Sequence, residues 1–202
     1  MKYPRIIGIV SLFFVLSLLA SCAKAPQQDV DAAKAALDAA KNAEAERYAS
    51  DQYTTAKDSL DAALAEVEKQ NAKFAWFRKY DNAKSMLQTA IKNADTAKNA
   101  AVAEKDKVRE DAEDTLIQAQ AAVASGRDLL TRAPKGKGER AAVEAIKADL
   151  DTVESSFAEI NSAIAQGDLI SARDKAHASL DKANSLNDEL KTAIEKTTTT
   201  KK

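Results

Sequence analysis

Small apolar residues repeat at alternating spacings of four and three, and this repeat constrains the chain more than any other feature. The repeat is clearest at Ala83, Leu87, Ala90, Ala94, Ala97 and Ala101. Such spacing keeps one stripe of an α-helix facing a partner helix, as in a coiled coil. The 202-residue chain holds only 5 glycines and 3 prolines, and no segment alternates β-branched and polar residues as strands do. The sequence therefore predicts an all-α fold, an elongated antiparallel helical bundle.

The same apolar periodicity locates the helices. We predict helices over residues 30–48, 51–70, 140–165 and 169–195, with a long third helix that ends before Pro134. Asp29 and Ser50 are expected to cap the first two helices, because short polar side chains accept hydrogen bonds from free backbone N–H groups. Gly167 and Asp168 are expected to end the fourth helix and cap the fifth.

Segments of the chain resemble one another at offsets of 86 to 90 residues, which indicates an internal duplication. Residues 57–61 match 147–151, and residues 80–94 match 169–183. The duplication predicts two three-helix units that share the long helix, an arrangement similar to tandem spectrin repeats. The first unit is expected over residues 29–102 and the second over 115–196, with a flexible tail at 197–202.

The segment between the two expected units is rich in charge. From Glu104 to Asp114 only Val108 and Ala112 are apolar. Two interpretations remain open for residues 103–114: an exposed charged helical waist that joins two packed regions, or a solvated stretch of one long bundle.

The amino-terminal segment has the parts of a secretion signal. Lys2 and Arg5 precede an apolar run that extends from Ile6 to Leu19. Since a bilayer span needs about 20 apolar residues, the run predicts a signal peptide, residues 1–21, that is cleaved. Leu19-Ala-Ser-Cys22 resembles the lipobox of bacterial lipoproteins. The alternative for Cys22, the only cysteine, is a spare or buried thiol after an ordinary cleavage site.

The lipobox resemblance implies a specific modification. In that family the cysteine sulfur receives diacylglycerol, and the new amino group receives a fatty acid such as palmitate. Residues 22–28 would then form a lipidated linker. Ala23 follows the cysteine in place of the aspartate that retains lipoproteins in the inner membrane of enteric bacteria. The resemblance thus implies attachment to the outer membrane, with the body facing the periplasm.

The polar residues do not form a pattern typical of catalysis or of nucleic-acid binding. The formal charge is −1, and it becomes −3 once Lys2 and Arg5 are removed, which argues against a nucleic-acid partner. His177, the only histidine, lies beside the apolar stripe of the last helix without a second histidine or cysteine. We therefore predict no catalytic, cofactor-binding or metal-binding residues and expect a protein that is not an enzyme.

Four aromatic residues cluster between the second and third predicted helices. They are Phe74, Trp76, Phe77 and Tyr80, called here the aromatic tip. They would either plug the open end of the first unit or form an exposed patch that binds a partner protein.

Two further resemblances concern the family. Residues 29–94, with the Tyr48-Ala-Ser50 turn between two alanine-rich helices, resemble a family of small alanine-rich helical lipoproteins whose domain has no assigned function. The tail Thr197–Lys202 makes the chain similar to Braun-type lipoproteins and implies a covalent link from Lys202 to peptidoglycan. The alternative is a flexible solubilising end.

These observations favour a non-catalytic, lipid-anchored spacer or scaffold of the bacterial cell envelope. The alternative is an adaptor that docks an envelope or transport complex through the aromatic tip or the waist. Alanine stripes can also pair between chains, so a homo-oligomer is a further possibility.

Overall fold

Every regular element in the described part of the chain is helical, and the predicted all-α helical bundle is confirmed. The computed structural model describes residues 24–134, 136 and 139–199. The helices are α1 (Gln27–Asn42), α2 (Ala45–Tyr48), α3 (Ser50–Asn71), α4 (Asp81–Arg132), α5 (Arg140–Gln166) and α6 (Leu169–Thr199). A short 3₁₀ turn, Ala75–Phe77, lies between α3 and α4.

The chain divides into two compact units, and the division falls between Ala103 and Glu104, within α4. In the first unit, α1, α3 and the first part of α4 share one core. That core consists of Val30, Ala33, Leu60, Ala63, Val67, Tyr80, Ala83, Leu87 and Ala90. All six residues of the predicted 4-3 stripe in α4 are buried, as expected.

In the second unit, α5 and α6 pack along each other and against the later part of α4. One cluster joins Val123 and Leu129 of α4 to Leu150 of α5 and Leu186 of α6. Another joins Ala112 and Leu116 to Ile160, Ala172 and Ala176. Three helices thus meet in each unit.

The first predicted helix is wrong in one respect, because it breaks before Tyr48. Glu44 has a left-handed backbone with φ 62°, a conformation that costs a residue with a Cβ roughly 1 kcal/mol or more. The break lets α2 turn, and Ala45 and Tyr48 are both buried as a result. Neither Asp29 nor Ser50 stands at the expected cap position, since Pro26 and Ala49 precede α1 and α3.

Two other boundaries also differ from expectation. The helix over residues 103–114 is exposed on most of its surface but has one buried face. Val108 and Ala112 lie on that face, and Ala112 packs with Leu116 and Ile160. Helix α6 extends to Thr199, so the start of the predicted flexible tail is helical. Gly167 does end α5 as predicted, with the left-handed φ of 80° that glycine adopts without strain.

Candidate functional site

The aromatic tip lies in the segment that connects the end of α3 to the start of α4. Helix α3 ends at Asn71, and the following segment carries the 3₁₀ turn Ala75–Phe77 before α4 begins at Asp81. Phe74 and Arg78, which flank the turn, have extended ψ angles of 140° and 126°. The segment therefore stands off as a short hairpin between two helices of the first unit.

The four aromatic side chains of the tip divide into two groups. Phe74 is 72% exposed, Trp76 81% and Phe77 71%, whereas Tyr80 is only 4% exposed. The interpretation of the tip as a plug is therefore wrong for the first three residues and right for Tyr80, which belongs to the core of the first unit. Large aromatic side chains each carry about 150–250 Å² of surface. Three of them at this exposure present roughly 450 Å² of surface in total.

A network of hydrogen bonds holds the tip in its exposed conformation. Gln70 is buried, and its Oε1 accepts hydrogen bonds from the backbone N–H of Lys79 at 3.1 Å and from Lys73 Nζ at 3.0 Å. Arg78 donates from Nε to the Lys73 carbonyl at 2.9 Å and from Nη2 to the Asn71 carbonyl at 3.0 Å. The Tyr80 hydroxyl donates to Asn71 Oδ1. The exposure of the aromatics is thus a property of an ordered turn.

Glu66 completes the support of the tip from one turn back along α3. Gln70 Nε2 donates a hydrogen bond to Glu66 Oε1 at 2.6 Å. This hydrogen bond lowers the pKa of Glu66, and the nearby charge of Lys69 adds to the effect. Because the Gln70 amide donates to Glu66 and accepts from the tip, a charged Glu66 helps to keep Gln70 oriented.

Within residues 72–80 the charged side chains are all basic. Lys73, Arg78 and Lys79 carry three positive charges, and residues 72–80 contain no acidic residue. The nearest acidic residues along the chain are Glu68 and Asp81. Lys73 and Lys79 are exposed, and Arg78 is partly exposed. Three exposed aromatic side chains, flanked along the chain by basic residues, therefore face solvent at this end of the first unit.

Gln70, Asn71 and Arg78 were not among the residues that the sequence singled out. A signal for Gln70 does exist, because it follows Leu60, Ala63 and Val67 at the 3-4-3 spacing of the buried stripe of α3. A polar residue at such a position must find hydrogen-bond partners, since an unpaired buried amide is costly. The spacing does not predict which groups form hydrogen bonds with Gln70.

Other predicted residues fall outside or apart from the tip. Cys22 and Lys202 lie outside the described residues, so the predicted lipidation and peptidoglycan link stay predictions. His177 is half exposed, and its Nε2 lies 3.1 Å from Asp111 Oδ2. Within the described residues no group of three potential metal ligands converges, and no helix there is long and apolar enough to cross a membrane.

Several ion pairs differ from those that helical spacing suggests. Asp151 lies four residues after Lys147, a spacing at which two side chains of a helix can pair, but it contacts Arg127 of α4 instead. The Nη2 atom of Arg127 also lies 2.6 Å from Oε2 of Glu154. Lys182 of α6 contacts Asp149 of α5 at 2.7 Å. These pairs join different helices of the second unit. Since they lie on the exposed margin, each is worth about 1 kcal/mol at most.

A hollow beside α6 also contains acidic side chains. Its lining includes Glu139, Asp188, Glu189 and Lys196, and Asp188 also contacts Lys191 at 2.9 Å. The hollow is open to solvent, whereas catalysis needs convergent groups in a water-excluded cleft. The tip remains the better candidate for a functional surface.

No protein-family model, curated protein or solved structure matches the chain.

Proposed function

We propose that the protein is a lipid-anchored, non-catalytic spacer or scaffold of the bacterial cell envelope. Cys22 carries the lipid, the outer membrane holds it, and the helical units extend into the periplasm. The observation that carries this proposal is the order of features at the amino terminus: basic residues, an apolar run, Leu19-Ala-Ser-Cys22, and then a short approach to α1 at Gln27.

The physical chemistry of acyl chains favours a stable attachment. A single myristoyl chain binds a membrane only with an association constant of about 10⁴ M⁻¹, whereas two or more chains hold a protein firmly. A diacylglycerol on the sulfur, together with an acylated amine, exceeds that requirement. The anchor would therefore hold the helical units at the membrane without a protein receptor.

The construction of the two units supports a mechanical role. The contact stripe of α4 is largely alanine, and Ala83, Ala97 and Ala101 are completely buried. Alanine lets helices approach closely and favours the helical state. It buries little apolar area, at about 25 cal/mol per Å². Such helices suit a spacer better than a container for a small ligand.

Acylation of Cys22 can be tested directly. We expect the wild-type chain, expressed in a bacterium fed labelled palmitate, to take up label and to begin at a modified Cys22 by mass spectrometry. Cys22→Ser should remove the label and leave residues 1–21 attached. Ser21→Ala is the matched control, because it keeps a small residue before the cysteine. An unmodified amino terminus on the wild-type chain would refute the proposal.

The membrane destination is tested by one further substitution. Ala23→Asp should move the labelled protein from the outer-membrane to the inner-membrane fraction of an enteric host. Ala23→Ser should leave its distribution unchanged. Equal distribution of all three chains between the fractions would contradict placement in the outer membrane.

The two alternatives have separate tests. Crosslinking in cells followed by purification should yield no stoichiometric partner for a spacer, and a stoichiometric partner would favour the adaptor. A muropeptide linked to Lys202 after digestion of the cell wall would identify a peptidoglycan tether. A free carboxyl terminus in every molecule would exclude the tether.

A further inference from the structure

We propose that the exposed aromatics Phe74, Trp76 and Phe77, with Lys73, Arg78 and Lys79, form a second membrane contact that inserts into the headgroup region of a bilayer containing anionic phospholipid. The inference builds on the proposed anchor at Cys22, because the anchor supplies the membrane. It adds an orientation: the first unit would stand with its tip against the lipid surface.

The topology of the first unit brings the amino-terminal end of α1 to the same end as the tip. Helices α1 and α3 pack together and are joined by only a few residues around α2, which makes them antiparallel neighbours. Val30, near the start of α1, shares a core with Val67, near the end of α3, and with Tyr80. The start of α1 and the tip are therefore neighbours in space.

Helix lengths set the distance that the lipidated segment must cover. Helix α1 has 16 residues and α3 has 22. At 1.5 Å per residue, α1 begins about 9 Å short of the end of α3. Cys22 precedes Gln27 by five residues, which can span about 17 Å at most when extended. A bilayer that holds the acyl chains of Cys22 therefore lies within reach of the tip.

The chemistry of the tip matches a lipid interface better than it matches water. Tryptophan is enriched where membranes meet water, since its ring is apolar and its indole N–H can still find an acceptor. Phe74 and Phe77 add apolar surface beside Trp76, and three cations with no acid in residues 72–80 suit an anionic surface. The exposure of all three rings gives the bilayer direct access to them.

The hydrogen bonds within the tip reduce the conformational entropy that is lost when it binds a membrane. Arg78 is bonded to the carbonyls of Asn71 and Lys73, and Gln70 holds the backbone of Lys79. The backbone that carries the aromatics is therefore already ordered before the tip contacts lipid. A pre-ordered surface binds more tightly because that entropy is already lost.

Trp76 is the only tryptophan, so its fluorescence reports on the tip alone. We expect the acylated wild-type protein, reconstituted on vesicles of phosphatidylcholine and phosphatidylglycerol, to show a blue-shifted emission maximum. Lipids brominated on their acyl chains should quench that emission, and vesicles should protect Trp76 from acrylamide. Trp76 that is equally open to acrylamide with and without vesicles, and untouched by brominated lipids, would overturn the proposal.

A chain without the lipid separates the tip from the anchor. Cys22→Ser, placed behind an ordinary cleavable secretion signal, yields the complete body with no acyl group. This chain should still bind anionic vesicles weakly, and Phe74→Ser/Phe77→Ser should weaken that binding about tenfold, because roughly 1.5 kcal/mol or more of burial is lost. Ile117→Ser is the matched control, since Ile117 is another exposed apolar residue, 62% exposed in the second unit. It should bind as the parent does.

Failure of the anchor and failure of the tip give different results. Absence of acyl groups on the native chain would refute the proposed function, yet the body could still bind anionic vesicles through Phe74 and Phe77. Unchanged binding in the double variant, with an unchanged circular dichroism spectrum, would refute the tip as a membrane contact. Protection of Trp76 only in the presence of a copurifying envelope protein would also refute it, in favour of the adaptor.

Discussion

Gly126 marks a place in the second unit where α4 approaches its neighbours so closely that a side chain has no room. A Cβ at this position would lie 2.6 Å from Asn187 Oδ1 and 2.9 Å from Leu150 Cδ1. Asn187 is buried, and its Nδ2 donates to the Ala122 carbonyl at 2.9 Å. The asparagine is held in place by that hydrogen bond and cannot simply move away.

We expect Gly126→Ala to destabilise the protein even though alanine is the better helix former. The gain in helix propensity is about 1 kcal/mol, whereas overpacking of a tight site costs about 1–3 kcal/mol. A loss of the Asn187 hydrogen bond would add to that cost. Urea denaturation followed by circular dichroism measures the free energy of unfolding. Ser125→Ala is the control, since Ser125 is exposed on the same helix, and a stabilised Gly126→Ala would contradict the argument.

The spacing of residues predicts the burial of Tyr80, but it does not separate Tyr80 from Trp76. Tyr80 precedes Ala83, Leu87 and Ala90 at the same 3-4-3 spacing and shares their buried face. Trp76 lies four residues before Tyr80 and would continue the repeat, yet it stands in the 3₁₀ turn and is exposed, whereas Phe74 and Phe77 fall outside the repeat. The exposure of the three aromatics depends on hydrogen bonds that Arg78 donates and Gln70 accepts. Such contacts do not follow the spacing of an apolar repeat, so the repeat does not predict them.

At the scale of elements, the alanine stripe of α4 determines how closely the helices of the first unit pack. We expect Ala97→Leu to destabilise the protein by about 1–3 kcal/mol, because Ala97 is completely buried and three added carbon atoms need space that the packed helices do not offer. Ala103→Leu is the matched control, since Ala103 is exposed on the same helix. Thermal unfolding of both variants distinguishes packing from propensity, and equal effects would contradict a tight stripe.

An ion pair between α5 and α6 gives the second unit a small acid sensitivity. Lys175 Nζ donates to Glu159 Oε2 at 2.8 Å. This hydrogen bond, reinforced by the charge of Lys175, lowers the pKa of Glu159 below the ordinary 4.5. A carboxyl whose pKa is lower in the folded state stabilises the fold above the unfolded pKa, and the stabilisation is lost as the pH falls through the folded pKa.

We therefore expect Glu159→Gln to lower the urea midpoint slightly at neutral pH and to lose less stability than the wild type on acidification. Midpoints at about pH 7 and about pH 3 lie on either side of the ordinary pKa of a glutamate in the unfolded chain. Glu144→Gln provides a comparison, because Glu144 is an exposed glutamate of the same helix. An acid loss in Glu159→Gln as large as in the wild type would show that the ion pair contributes nothing.

The ends of the long helices were largely predictable, whereas breaks and charged stretches were not. Helices α3 and α5 begin and end within one residue of the predicted positions, because alternating apolar spacing and Gly167 both mark those ends. The break at Glu44 has no glycine, asparagine or proline at the turn itself, and it depends on the burial of Ala45 and Tyr48. Tertiary packing overrode local preference there.

The charged segment 103–114 leaves two interpretations open at the level of sequence, because it contains only two apolar residues, Val108 and Ala112. Val108 follows Ala101 by seven residues, and Ala112, Leu116 and Ala119 continue the same buried stripe. One residue per turn is enough when the helix packs closely, so the phase of the repeat is more informative than the number of apolar residues.

At the scale of the whole molecule, the two units show corresponding burial at the offsets that suggested a duplication. Tyr80 and Leu169, Ala83 and Ala172, and Ala94 and Ala183 form three pairs 89 residues apart, and all six residues are buried. Leu60 and Leu150, 90 residues apart, are buried as well. This is the pattern that duplication of a three-helix unit would leave, and the duplication itself stays a prediction.

The separate cores lead to an expectation about how the molecule unfolds. Leu60 belongs to the core of the first unit and Leu150 to a core of the second. Truncation of a buried leucine to alanine costs about 2–5 kcal/mol. Because the two leucines share no core, we expect Leu150→Ala to weaken the second unit and Leu60→Ala the first. Local opening can then occur in one unit at a free energy below that of global unfolding.

Hydrogen exchange resolves the two units within a single sample. In Leu150→Ala, amides of α5 and α6 should exchange faster, while those of α1 and α3 keep wild-type protection. Leu60→Ala should show the reverse, and each variant thereby serves as the control for the other. The amides of α4 before and after Ala103 report whether opening stops at the boundary between the units. Equal acceleration in all helices of both variants would mean that the two cores unfold as one cooperative body.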